Sequence, residues 1–321
     1  MRAVALVTCG LLGSIVACGS RPLETEIERH PARVLPQGAS QIFYARVDRL
    51  RVNPLVVLVY EQGQRLRLGP SLKGTSQTLP LAGDIERLAL GTYSGPTGRE
   101  QAAVAVATGR FHEDTFRKAL ETFRIPYVEG RYGELRTYTC GRGEARCYVC
   151  FASPRLLVAS SQEDLLKRTL DLSTRKAKSM ARDRGFAPLL EGFSPETDLW
   201  VTGFFPSGLA AAFGDQMQAA IQAIQAFTIV LETDDGSRLA FVLHCDSPEA
   251  AEANAMVLKT LIAGLVQQLV VSGYSIPDLI NAINRSRIVV ERARTTFKLQ
   301  MNKTEVAATA AALRAEPVPE K

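Results

Sequence analysis

The feature that most constrains this chain is its first twenty residues, Met1 to Ser20. Met1-Arg2 supply a short positive end, and Ala3 to Ala17 (AVALVTCGLLGSIVA) carry no charge. A positive n-region ahead of a 15-residue apolar h-region has the shape of a secretory signal. It is shorter than the roughly 20 apolar residues that a stable spanning helix needs. A chain that starts this way is expected outside the cytosol, where disulfides are allowed.

The h-region ends in Ile15-Val16-Ala17-Cys18: an aliphatic residue, one of modest size, a small one, then cysteine. This resembles the lipobox of bacterial lipoproteins. The resemblance covers these residues alone. It implies a diacylglyceride on the Cys18 thiol, cleavage of the signal before it, and a further acyl chain such as palmitate on the new amino group. Two acyl signals are enough for stable anchoring without a transmembrane helix, since each buried CH₂ contributes roughly 0.8 kcal/mol. Gly19 follows the cysteine. In the Gram-negative branch of the class an aspartate there signals inner-membrane retention, so its absence implies the outer membrane. The expected location is the cell envelope, lipid-anchored and facing the periplasm.

About 300 mature residues exceed most single cores and suggest two domains. Apolar content of 46% with 22% charged residues is ordinary globular composition. The formal charge of +5 is modest and scattered. With an export signal present, nucleic acid is excluded as a partner. Anionic lipids and other envelope proteins remain.

Along the chain, Gln41–Asp48 (QIFYARVD) reads as a strand and Pro54–Tyr60 as a short helix; residues 63–83 read as loop. Ile85–Tyr93 and Gln101–Thr108 flank turn chemistry at Ser94–Gly98 and should pair. From Glu113, Phe116, Leu120 and Phe123 mark one helical face. Leu135–Cys140, Arg146–Ala152 and Leu156–Ala159 read as strands before a helix at Gln162–Leu172. The second half is similar. Asp198–Phe204 is a strand, Pro206–Ala226 mostly helix, and Phe227–Glu232 with Arg238–Cys245 a hairpin closed by Asp234-Asp235-Gly236. A long helix begins near Pro248 and a short one spans Pro277–Asn284. Strands Arg287–Arg292 and Thr296–Met301 and a helix Lys303–Arg314 close the chain.

One pattern recurs four times: an apolar strand, a cap-type residue, an acid, then an amphipathic helix. It stands at Phe111–Asp114, Ser161–Asp164, Ser247–Glu249 and Asn302–Glu305. First-turn amides need acceptors, and carboxylates suit the positive helix end. The expected architecture is α+β: two similar domains, each a mostly antiparallel sheet with helices packed on one face. Residues 1–17 are the signal and 18–33 a tether. The first domain is 34–172, 173–185 a basic linker, 186–316 the second domain, and 317–321 a loose end.

The chemistry-bearing residues form no catalytic set. Cys140 and Cys147 flank a predicted hairpin loop and should face each other within bridging reach, about 5.5 Å between Cα atoms. Four mature cysteines (140, 147, 150, 245) still permit three full connectivities. Cys147-Tyr148-Val149-Cys150 matches C-x-x-C, but the flanking residues favour a strand, in which residues three apart face opposite sides. His112-Glu113 lacks the second histidine of a zinc helix, because Phe116 stands there. His30 falls in the tether and His244 beside the core. Glu232, Asp234 and Asp235 read as a solvated turn. Arg175, Lys176, Lys178, Arg182 and Arg184 could meet an anionic surface. The apolar run Met256–Leu258 and Leu261–Val271 is broken by Lys259, Gln267 and Gln268, so it reads as a core helix or one wall of an apolar groove. The resulting expectation is a non-catalytic binding or scaffold module at the membrane, without cofactor or metal. The alternative is a periplasmic enzyme or thiol–disulfide protein using Cys147/Cys150.

Overall fold

The computed structural model describes residues 23–58, 84–94, 101–143, 146–205, 215–271, 273 and 276–315. The fold is α+β, with a large antiparallel sheet and several helices. The chain divides into two compact units, Met1–Ala39 with Ala89–Arg184, and Ser40–Leu88 with Gly185–Lys321.

The first unit opens with helix α1, Leu23–Arg29, followed by a 3-10 turn at Pro31–Arg33. This corrects the expected tether, because these residues pack. Leu23 and Ile27, four apart on one face, are buried, and Glu26 is held by Arg29 and Arg33, each at 3.0 Å. His30 caps the 3-10 turn: the Ala32 N–H donates to its Nδ1 at 3.1 Å.

The unit's strands are β2 (Ile85–Ser94, with Ala89–Ser94 inside this unit), β3 (Gln101–Gly109), β4 (Tyr127–Tyr132), β5 (Leu135–Cys140), β6 (Cys147–Ser153) and β7 (Leu156–Ser160). Their order is β2-β3-β7-β6-β5-β4. Helix α3, Glu113–Thr122, buries Phe116 and Leu120 as expected, whereas Phe123, expected on the same face, caps the helix end and is exposed. Phe116 meets Tyr138 and Phe151 edge-on or tilted, with ring centroids 5.5 and 5.3 Å away. Helix α4, Glu163–Leu170, buries Leu165, Leu166 and Leu170.

The expected linker 173–185 is also corrected. It bridges back to residues 35–39: Gln37 N–H donates to Lys178 O at 2.9 Å and Met180 N–H to Leu35 O at 2.8 Å. The fully buried Met180 accepts from the amides of Gly38 and Ala39 at its Sδ, at 3.1 and 3.2 Å. These bonds and the packing of Met180 fix the segment as part of the first unit.

The second unit takes β1 (Gln41–Arg46), which the sequence placed in the first domain. β1 is followed by a short helix α2, Val47–Leu50, and residues 54–58 are helical. β1 pairs antiparallel with β8 (Leu199–Phe204), Tyr44 opposite Trp200. Gly203 permits the close approach, since a Cβ there would stand 2.7 Å from Ser40 O. Between α4 and β8 lies a short helix α5, Ala187–Leu190. Then come α6 (Asp215–Gln222), β9 (Ile224–Glu232), β10 (Ser237–Cys245), α7 (Pro248–Val271), α8 (Pro277–Arg285), β11 (Arg287–Glu291), β12 (Arg294–Met301) and α9 (Lys303–Arg314). The strand order is β1-β8-β9-β10-β12-β11. The strand after α6 starts at Ile224, inside the expected helix. The predicted loop 63–83, the turn at 95–98 and the C-terminal 317–321 lie outside the described residues.

The caps divide. Asn302 and Glu305 form a reciprocal capping box, both bonds 2.9 Å, and Ser247 Oγ accepts from Ala250 N–H at 3.1 Å. His112 and Gln162 precede their helices without a side-chain cap bond.

An ionic node braces one end of this unit. Asp198 is fully buried and accepts from the Thr233 N–H and hydroxyl at 2.7 and 2.8 Å. Arg49 lies 3.6 Å from Asp198 and 2.6 Å from Asp234, and Arg46 lies 3.9 Å from Asp198. Removing one partner of such a group strands a buried charge. Asp198→Ala is expected to lose about 3 kcal/mol of stability, read by urea unfolding. A loss as small as that of an exposed pair would show the node to be ornamental.

Candidate functional site

β5 and β6 run in regular antiparallel register, with Cys140 directly opposite Cys147 and Thr137 opposite Cys150. The expected facing of Cys140 and Cys147 is therefore present, as free thiols. Cys140 is buried and Cys147 half-buried. The two thiols act on each other: the Cys140 thiol draws Cys147 below its usual range, and the Cys147 thiol, with burial, pushes Cys140 up. Cys147 and Cys150 lie three apart in one strand and so face opposite sides. Burial, then the Glu113 carboxylate, push Cys150 up to about 12. The C-x-x-C pair is not brought together. Cys245, also buried, meets Asn254 Nδ2 at 3.6 Å.

The other polar candidates resolve into structure. His112 is the residue ahead of α3. His244 is half-buried on β10, with Nε2 3.2 Å from Thr228 Oγ1; burial, then Arg294, lower its pKa. It lines a cavity of about 920 Å³ with Cys245, Glu191, Glu291, Arg292 and Arg294. Glu232, Asp234 and Asp235 pair with Arg238, Arg49 and Lys303 at 2.7, 2.6 and 3.6 Å. Among the described residues no group of three or more His, Cys, Asp or Glu is placed to hold a metal ion.

The basic run stays a solvated face. Arg175, Lys176, Lys178, Arg182 and Arg184 are all exposed, although their backbone is tied to residues 35–39. Nothing within 4 Å neutralises them among the described residues, so the charge is directed outward.

The feature missed in sequence is the second half of α7. Its first half is the expected core helix: Ala251, Asn254, Ala255 and Leu258 are buried, with Ala251 and Leu258 in one cluster with Leu243, Cys245 and Phe297. Beyond Lys259 no residue of the helix is fully buried, although Ile262 still packs against the cluster. Ile262, Val266 and Leu269 are half-buried, while Leu265 is 56% exposed and Val271 69%. Leu261 and Val270 are exposed too. In the most apolar 18-residue window of this 24-residue helix, mean hydropathy is 1.5 and 17% is buried. Length and composition alone would let it cross a bilayer. The signal was present as the uncharged run from Thr260 to Pro277. It was hidden by the usual reading of a long apolar helix as core.

The thiol geometry has a pH consequence. In reduced protein, Cys147 should alkylate with a midpoint below that of an ordinary cysteine, and Cys140→Ala should move it up by removing the neighbouring thiol. Rates of iodoacetamide labelling against pH check this. An unmoved midpoint would show that Cys140 does not set the Cys147 thiol.

No protein-family model and no curated protein matches the chain. Among solved structures it is similar to crystal form IV of TP0453 over 89% of this chain and 96% of that one, at 11% identity and TM-score 0.49. Crystal form I of the same protein gives 89%, 98%, 10% and 0.45. A likeness of this size assigns neither family nor function.

Proposed function

We propose that the chain is a lipid-anchored bacterial envelope lipoprotein, a non-catalytic binding or scaffold module held by acyl chains on Cys18 at the outer membrane and facing the periplasm. The observation that carries this reading is the placement of Cys18 at the end of a short uncharged h-region, five residues before the packed helix α1. Five extended residues reach about 18 Å. A lipid on Cys18 therefore holds the first folded unit close against the membrane, where a long tether would let it roam. The outward basic residues Arg175, Lys176, Lys178, Arg182 and Arg184 then face anionic lipids or acidic envelope proteins.

The same location sets the cysteine chemistry. Directly opposed residues on antiparallel strands have Cα atoms about 4.5–5.5 Å apart, inside the range a disulfide spans. In an oxidising compartment Cys140 and Cys147 close to a disulfide. They give up two protons, and their two electrons pass to a disulfide donor of that compartment.

The reading also takes the two units as related domains. The sequence of elements β2-β3-α3-β6-β7-α4 parallels β9-β10-α7-β11-β12-α9, with β4-β5 and α8 as respective insertions. The sheet orders β2-β3-β7-β6 and β9-β10-β12-β11 correspond. Two such units with helices on one sheet face offer surfaces for partners, which suits a scaffold.

Intact mass of the protein from a membrane fraction, alkylated without reductant, tests the reading. The expected species starts at Cys18, carries acyl chains and leaves Cys140 and Cys147 unlabelled until reduced. An unacylated chain would overturn the anchor, and four labelled thiols the disulfide.

A further inference from the structure

We infer that the second half of α7, Thr260–Val271, enters the hydrocarbon of a single membrane leaflet while the first half stays docked on its sheet. The inference rests on the membrane location proposed above. Three observations choose a bilayer as the occupant.

The first is the distribution of apolar surface. At 100° per residue, Ile262, Val266 and Leu269 form one stripe, and these are the half-buried residues. Leu261 and Leu265 lie on one flank of that stripe, Val270 on the other, and Val271 beyond it, all exposed. A protein groove covers one stripe spaced i, i+3, i+4, i+7. Acyl chains flow around a helix docked along one stripe and reach both of its flanks. A helix that is apolar on most sides and unburied matches hydrocarbon rather than water.

The second is charge. The chain carries none from Thr260 to Pro277, and the run is bounded by Lys259 and Asp278. Gln267 and Gln268 are its only amide side chains before Val271. They lie away from the packed stripe, and their polarity argues against deep transit across the bilayer.

The third is length. The twelve residues Thr260–Val271 rise about 18 Å at 1.5 Å each. The hydrocarbon of one leaflet is about half of 30 Å. The second half of α7, held to the fold only along the Ile262 stripe, is about as long as one leaflet is thick, while the first half is buried through Ala251 and Leu258.

The test uses the acylated protein in phosphatidylethanolamine–phosphatidylglycerol vesicles. The chain holds one tryptophan, Trp200, which is fully buried and supplies a constant background. Leu265→Trp and Val270→Trp report the free half and Met256→Trp, an exposed site of the docked half, is the control. Brominated lipids should quench the emission added at 265 and 270 and leave that added at 256. Protein that fails to float with vesicles would overturn the anchor on which the inference rests. Protein that floats while 265 and 270 stay unquenched would overturn the inference alone. If the mass of the unquenched protein is doubled, the face belongs to a second copy. Equal quenching at 256 would overturn the half-helix assignment.

Discussion

A sheet covers one side of a helix, and α7 is apolar on more than one. Its first half meets that limit by bringing Ala251 and Leu258 to the face of β10 and β12, where Leu243, Cys245 and Phe297 receive them. Its second half exceeds it. Each exposed leucine or valine there forgoes roughly 1.5–3 kcal/mol that burial would contribute. A water-bound protein has no reason to carry several such residues in one run. An anchored protein has a low-dielectric phase within reach, and the run then becomes a source of binding. Under the proposed anchoring, a lipid on Cys18 and the exposed apolar helix share one location.

The remaining chemistry is conservative in the same sense. Charges that enter the fold are matched: Glu26 by Arg29 and Arg33, Asp198 by Arg46, Arg49 and the Thr233 donors. The basic residues Arg175, Lys176, Lys178, Arg182 and Arg184 are exposed. Burial pushes Cys150 and Cys245 up and keeps them protonated, which makes them packing groups rather than nucleophiles. Cys147 alone is drawn the other way, and the group that does it, Cys140, is also the one positioned to bridge it.

What could be read from sequence follows the strength of local patterns. Strand-type composition located β1, the Asp234-Asp235-Gly236 turn located the β9–β10 hairpin, and the spacing of Phe116 and Leu120 located α3. The edge strand β4 was invisible: Glu129, Gly130 and Arg131 give it no apolar face, and it is held by pairing with β5. Helix α1 hid in a polar stretch, since Leu23 and Ile27 are its only apolar contacts and Glu26 is buried by pairing. Residues 173–185 looked like a linker because their attachment is backbone bonding and one methionine. Membership of β1 in the second unit depends on pairing with β8 across more than 150 residues, which no local window contains. The exposed second half of α7 could not be told from the buried first half, because composition does not say how much of a long apolar run a sheet covers.

The central claim is that α7 has two halves in two surroundings. Amide hydrogen exchange measures it most directly, comparing the unacylated mature chain in water with the acylated protein in vesicles. The account predicts that Ala251–Leu258 is protected in both. Leu261–Val271 should exchange readily in water and slow strongly on the membrane. Equal protection of the two halves in water, or no change on vesicles, would contradict it.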